Sequence, residues 1–277
     1  MAAISIKHRS ILLILLLLLI IPFSGCERDD FQKLDERNWT LVWSDEFTGP
    51  AGTLPDTAKW MMELGNGQDG WGNQELQYYT NKAENVSLDG DGNLVITAIR
   101  SGNSYTSARL STQNLFSQKY GKFEARLITP YGPGLWPAFW MLGSNIESTP
   151  WPQCGEIDIM ELRGQEPHII HGSLHGPGYS GGNPVSKSYA LNNDRFDADY
   201  HTYAVEWDDS RIDFFVDGYL YQRVERSELP GEWVYDQPFF LLLNVAVGGN
   251  YVGFPTTQTP FPQKMIVDYV RVYQEAN

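Results

Sequence analysis

Cysteine is nearly missing from this chain of 277 residues, which has two, Cys26 and Cys154. A scaffold held by several disulfides is therefore excluded. No histidine stands near Cys154 in sequence, so it reads as a packed, inert thiol rather than a nucleophile. Positive charge is also short, with 20 Lys and Arg against 34 Asp and Glu and a formal net charge of −14. A surface this acidic repels nucleic acid and disfavours polyanionic substrates, so no nucleic-acid partner is expected. Helical periodicity of any length is absent beyond the first 25 residues, as are internal repeats and low-complexity tracts. Long apolar runs are absent too, with one exception, the stretch from Ile11 to Ile21.

That run is too short for the roughly 18 apolar residues of a membrane-spanning helix, and it follows Lys7 and Arg9. Residues 1–25 are therefore expected to be a secretory signal. The sequence Phe23-Ser24-Gly25-Cys26 resembles the lipobox of bacterial lipoproteins, which implies an acylated Cys26 as the lipid anchor. Phe23 departs from the usual leucine, so cleavage without a lipid stays open. Glu27, Asp29 and Asp30 resemble surface-export signals. The expected location is outside the bacterial inner membrane, as an outer-membrane or cell-surface lipoprotein touching the membrane only through that lipid. Residues 26–38 are charged and pattern-free and read as a tether.

From Trp39 onward the chain consists of short strand-like runs between turn residues. Phe123, Ala125 and Leu127 of KFEARLI share one face, and Glu124 and Arg126 the other. RIDFFVDGYLYQRV holds two β-rich runs around Asp217-Gly218, a hairpin signal. Such a series predicts an all-β sandwich of two antiparallel sheets in one domain over residues 39–275.

GEIDIMEL, residues 155–162, carries Glu156, Asp158 and Glu161. Strict alternation puts the first two on one face and sends Glu161 to the other, among isoleucines. One surplus residue at Ile159-Met160, a β-bulge, would return Glu161 to the first face, and bulges concentrate beside active sites. One of the pair 159/160 would then pack inward. The outer two Cα atoms would be about 13 Å apart, and each glutamate would lean inward by about 4 Å to reach the ~5 Å carboxyl spacing of a retaining glycosidase. Crowding of like charges would raise the pKa of one acid and leave a proton donor beside an ionised nucleophile. A solvated acidic face and a calcium-binding strand are the other readings.

This bulged E-x-D-x-x-E resembles the signature of glycoside hydrolase family 16. LWPAFWML (135–142), WSDEF (43–47), GNQELQYYT (72–80), YGKFEARL (120–127), NVAVGG (244–249) and VDYVRVY (267–273) resemble segments of its bacterial laminarinases, the endo-1,3-β-glucanases. The resemblance implies a β-jelly-roll sandwich of concanavalin A-like type, with a glucan cleft on its concave sheet. It implies Glu156 as nucleophile, Glu161 as general acid/base and Asp158 as hydrogen-bonding assistant to the nucleophile, with no cofactor in catalysis.

Trp136 and Trp140 share a strand face, and their indoles suit the apolar faces of sugar rings. Both could instead be core residues, but Pro137 argues against a fully paired central strand, and the reading taken is sugar binding. His175 is expected to hydrogen-bond sugar or Glu161, or to serve the fold alone. Arg109, Asn73, Glu75 and Asn244 match polar cleft positions of the family, or form cross-strand pairs. Many relatives have tryptophan where this chain has Tyr251. Asp268 alternates with Ile266, Val270 and Val272, an apolar face where an unpaired carboxylate is costly. Either an arginine or a structural calcium held by Asp268 with oxygens near Glu46 and Gly92 would resolve this. The expected protein is a monomeric endo-acting enzyme on laminarin-like and mixed 1,3-1,4-glucans. Its alternatives are hydrolysis of agar, carrageenan or porphyran, and glucan binding without catalysis.

Overall fold

The strand-like runs pair into two sheets in the computed structural model, which describes Leu34 and residues 36–276. The signal over residues 1–25, Cys26 and most of the tether lie outside the described residues. Seventeen strands lie between Trp39 and Glu275. Seven form one sheet, in the order Val185–Ala190, Ile169–His175, Glu156–Leu162, Leu135–Gly143, Phe239–Val247, Arg109–Ser111 and Met61–Glu63, all antiparallel. The other ten form the second sheet, built around Gly121–Ile128 and the long strand Gln263–Glu275. The fold is a two-sheet jelly-roll sandwich.

Alternation in the sequence decides what fills the space between the sheets. Phe123, Ala125 and Leu127 are fully buried in the core from one side, and Phe139, Met141, Ile157, Leu241 and Leu243 from the other. Each of these side chains larger than alanine contributes about 1.5–3 kcal/mol through removal from water. Asp217 and Gly218 have φ of 49° and 77°, so both central residues of the hairpin are left-handed, as a type I′ turn requires.

One expectation holds and one is corrected. The strand Leu135–Gly143 is central, with the acidic strand on one side and Phe239–Val247 on the other. Pro137 is tolerated because the ladder to the acidic strand reaches only Ala138, opposite Glu161. Asp268 is not on an apolar face, because a register shift between Val267 and Tyr269 breaks the alternation. Val267 and Val270 both point into the core, and Asp268 turns outward to pair with Arg126.

Gly172 is required by close approach. It stands opposite the bulge of the acidic strand, and a Cβ on it would lie 2.2 Å from the Tyr221 hydroxyl and 2.7 Å from Phe214 Cδ1. Gly172→Ala is expected to destabilise the fold by about 1–3 kcal/mol, as overpacking does. Urea denaturation measures this, and a shift of under about 0.5 kcal/mol would show that the floor yields freely.

Candidate active site

The acidic strand changes register between Asp158 and Glu161 against both neighbours. Asp158 faces Trp140 and Met160 faces Phe139, so Ile159 is the surplus residue on that side. Both Ile159 and Met160 are buried in the core, one more than alternation with a single inward residue allows. Glu156, Asp158 and Glu161 therefore emerge on the same outer face. They are far from solvated: Asp158 is 3% exposed and Glu161 8%.

The outer face of this sheet gathers the remaining sequence-predicted residues. Trp136 Nε1 donates to Glu161 Oε1 at 2.8 Å. Trp140 Nε1 donates to Asn244 Oδ1 at 2.7 Å. Glu75 accepts from Asn73 Nδ2 at 3.2 Å and from Gln77 Nε2 at 2.6 Å, which accounts for a buried carboxylate. Arg109 is both a cleft residue and a cross-strand partner: its Nε lies 3.0 Å from Glu63 Oε2, directly across the ladder. Its guanidinium is sandwiched between two rings, 4.4 Å from the Trp71 centroid and 4.8 Å from that of Trp140. The sequence reading missed Trp71, although the glycine-rich GQDGWGN around it signals a tight loop, and Trp71 itself has a left-handed φ of 56°.

His175 serves a different acid from the one expected. Its Nε2 lies 3.1 Å from Asp158 Oδ2 and 3.7 Å from Glu156 Oε1, at the Glu156 end of the trio rather than beside Glu161. The close approach to Asp158 is not aligned as a hydrogen bond. Its Nδ1 accepts the Gly181 N–H at 3.2 Å. The neutral ring must therefore carry its proton on Nε2, facing the carboxylates.

Glu156, Asp158 and His175 place potential ligand atoms within 4.8 Å of one another. That tautomer does not suit a metal on Nε2, because a ligating imidazole donates from its other nitrogen, and here Nδ1 accepts. The residues named for calcium do not form a carboxylate cage either. Glu46 is engaged by Arg271 and Asp268 by Arg126. The main-chain oxygen of Glu46 does approach Gly92, 3.9 Å from where its Cβ would be.

Burial dominates the electrostatics. It pushes the Glu156 carboxyl up to about 8, reinforced by the charge of Asp158 and opposed by His175 and Arg109. Glu161 is pushed up to about 7 by burial and by Glu156, while the Trp136 hydrogen bond acts in the other direction. Asp158, the deepest of the three, is raised well above the ordinary range by burial and by Glu161. The site thus holds fewer than three negative charges at neutral pH.

Residues 71–271 match the profile of glycosyl hydrolases family 16. The chain belongs to this family. It is 46% identical to the laminarinase catalytic domain of Thermotoga maritima, covering 87% of this chain and 100% of that one with a TM-score of 0.81. It is 41% identical to a beta-glucanase of Rhodothermus marinus, over 90% of this chain and 91% of the relative. It is 43% identical to the clotting factor G alpha subunit of Tachypleus tridentatus, of which it spans only 35%. Family 16 is a family of glycoside hydrolases.

Raised carboxyl pKa values have a consequence for stability. The folded state binds these protons more tightly than the unfolded chain, so their contribution is full below the unfolded carboxyl pKa and lost as pH rises through about 7–8. Glu156→Gln removes this penalty. After discounting for an open cleft, it is expected to stabilise the protein at pH 8 by about 1–2 kcal/mol, or roughly 2–8 °C in Tm, with little change at pH 4.5. Calorimetry at the two pH values checks this, and an equal shift at both would contradict it.

Proposed function

We propose that the protein is a retaining endo-β-glucanase that hydrolyses 1,3-β-glucosidic bonds of laminarin-like glucans and accepts mixed 1,3-1,4-β-glucans. The observation that carries the reading is the bulge, which aims Glu156 and Glu161 from one strand into the same aromatic-walled face. Glu161 acts as general acid/base and Glu156 as nucleophile. Asp158, more deeply desolvated than Glu156, keeps the shared proton and through it donates a hydrogen bond to the nucleophile's carboxylate. The attacking form is the ionised Glu156, which this hydrogen bond and the nearby Nε2–H of His175 favour against the burial that raises its pKa. Glu161 protonates the leaving glycosidic oxygen while Glu156 attacks the anomeric carbon, forming a glycosyl-enzyme. Water, deprotonated by Glu161, then releases the sugar with its configuration retained. Trp136 and Trp140 supply flat apolar surface to the sugar rings, with Arg109, Asn73, Glu75 and Asn244 around them.

Charge favours a neutral polysaccharide over sulfated carrageenan or porphyran. Arg109 is matched by Glu63, and Arg163 by Glu166 at 3.6 Å. Binding without catalysis would not require three carboxylates to be desolvated together. A structural calcium on the ten-stranded sheet has the approach of Glu46 and Gly92 in its favour, and both arginine pairs against it. The chain is proposed to act as a monomer, exported by residues 1–25 and anchored by an acylated Cys26, with residues 39–275 as the catalytic domain.

Purified protein is expected to release reducing oligosaccharides from laminarin with retained anomeric configuration. Glu156→Gln is expected to lower this rate at least about 10³-fold with an unchanged fold. Substantial turnover by that variant would remove Glu156 from its role, and faster turnover of agarose than of laminarin would move the substrate. Because Glu161 must be protonated to act and holds its proton up to about 7, kcat/KM should fall as pH rises above that value. A profile flat to pH 9 would exclude Glu161 as the acid.

A further inference from the structure

The contacts around Glu161 converge on Tyr251, which the reaction as derived does not use. One oxygen of Glu161 is held by the Trp136 indole N–H. That indole is half-buried on the outer face, and its neighbour there is Tyr251, with ring centroids 5.0 Å apart and planes inclined at 48°. Tyr251 is itself fixed from two sides. The Arg163 guanidinium lies 4.4 Å over its ring, and the His171 ring meets it edge-on at 6.0 Å and 79°.

Both clamping residues belong to Glu161's own surroundings. Arg163 follows it by two positions, and His171 stands directly opposite it on the adjoining strand. The contacts therefore close a loop: Glu161, Trp136, Tyr251, then back to Glu161 through Arg163 further along its chain and through His171 across the ladder. Gly249, two residues before Tyr251, brings this segment against the indole, and a Cβ there would be 3.6 Å from Trp136 Cζ3. An indole free to tilt would carry its N–H away from the carboxylate, and misplacement of a reacting group by about 1 Å can cost about a hundredfold in rate.

We propose that Tyr251 is a positioning residue for the general acid/base: its ring sets the plane of Trp136, and through the indole N–H the direction in which Glu161 presents its proton. The proposal rests on the reading of Glu161 as the acid.

The test uses dependence on the leaving group. A laminari-oligosaccharide needs its departing oxygen protonated, whereas a 2,4-dinitrophenyl laminaribioside leaves without help. Tyr251→Leu is expected to lower kcat/KM about tenfold on the first and less than about twofold on the second, while Tyr251→Phe keeps both. In a Trp136→Phe background, Tyr251→Leu should add no further loss on the oligosaccharide. Arg163→Met, which loosens the clamp from the exposed side, should reproduce the selective loss at about threefold and serves if Tyr251→Leu does not fold.

Equal losses on both substrates would assign Tyr251 to substrate binding or to the fold and overturn the proposal. Losses additive with Trp136→Phe, or a Tyr251→Phe variant as impaired as Tyr251→Leu, would also overturn it. Glu161→Ala is the reference. If it lacks the selective loss, the assignment of the acid itself fails. If it shows that loss and Tyr251→Leu does not, only the role of Tyr251 falls.

Discussion

Two consecutive apolar side chains, Ile159 and Met160, enter the same core from one strand, and the rest of the site depends on this. A regular strand cannot do it, because successive side chains point to opposite faces. The bulge interrupts the ladder, and in return it prevents Glu161 from being driven among the core residues, where an unpaired carboxylate would cost several kcal/mol or stay neutral. The adjoining strand accommodates the irregularity through Gly172, which faces the bulge and leaves the space that Tyr221 and Phe214 occupy. Sequence, packing and chemistry are joined at that one extra residue.

The same geometry creates an electrostatic conflict. Three acids are drawn together where little water reaches them, and every one is raised above its ordinary pKa. The protein answers with few donors. Trp136 holds one oxygen of Glu161, and the His175 ring is oriented by a main-chain N–H so that its own proton faces the other two acids. Arg109 is held in place by two rings and Glu63, so its charge lowers the Glu156 pKa without joining it in an ion pair. Full neutralisation would have stabilised the fold and disabled the proposed nucleophile and acid alike.

Legibility followed the density of polar markers along each strand. The first bulge could be read because three carboxylates at uneven spacing expose the slip. The second, beside Asp268, carries a single carboxylate between valines, so the sequence suggested a buried charge needing either an arginine or calcium, where the strand turns it out to Arg126. Alternation in KFEARLI and the Asp217-Gly218 turn were readable because they depend only on near neighbours. The partner of His175, the Glu63–Arg109 pair and the place of Trp71 were not, since each is fixed by strand order and loop path rather than by local pattern. Pro137 signalled the incomplete pairing but not its place in the sheet. Its tolerance depends on where the neighbouring ladder stops.

The distribution of aromatic residues extends this logic to the substrate. In the core, rings such as Phe123, Phe139 and Trp207 are fully buried and need only volume. On the outer face, Trp136 and Trp140 each donate their N–H to a polar partner and remain half exposed. A ring satisfied in this way offers an apolar face without competing for the hydroxyls of a bound sugar. The two arginines bordering that face are already paired with acids. The surface so formed is apolar in its planes, polar at its edges and short of cationic charge. It matches an uncharged glucan, whose sugars present the same combination of apolar faces and polar rims.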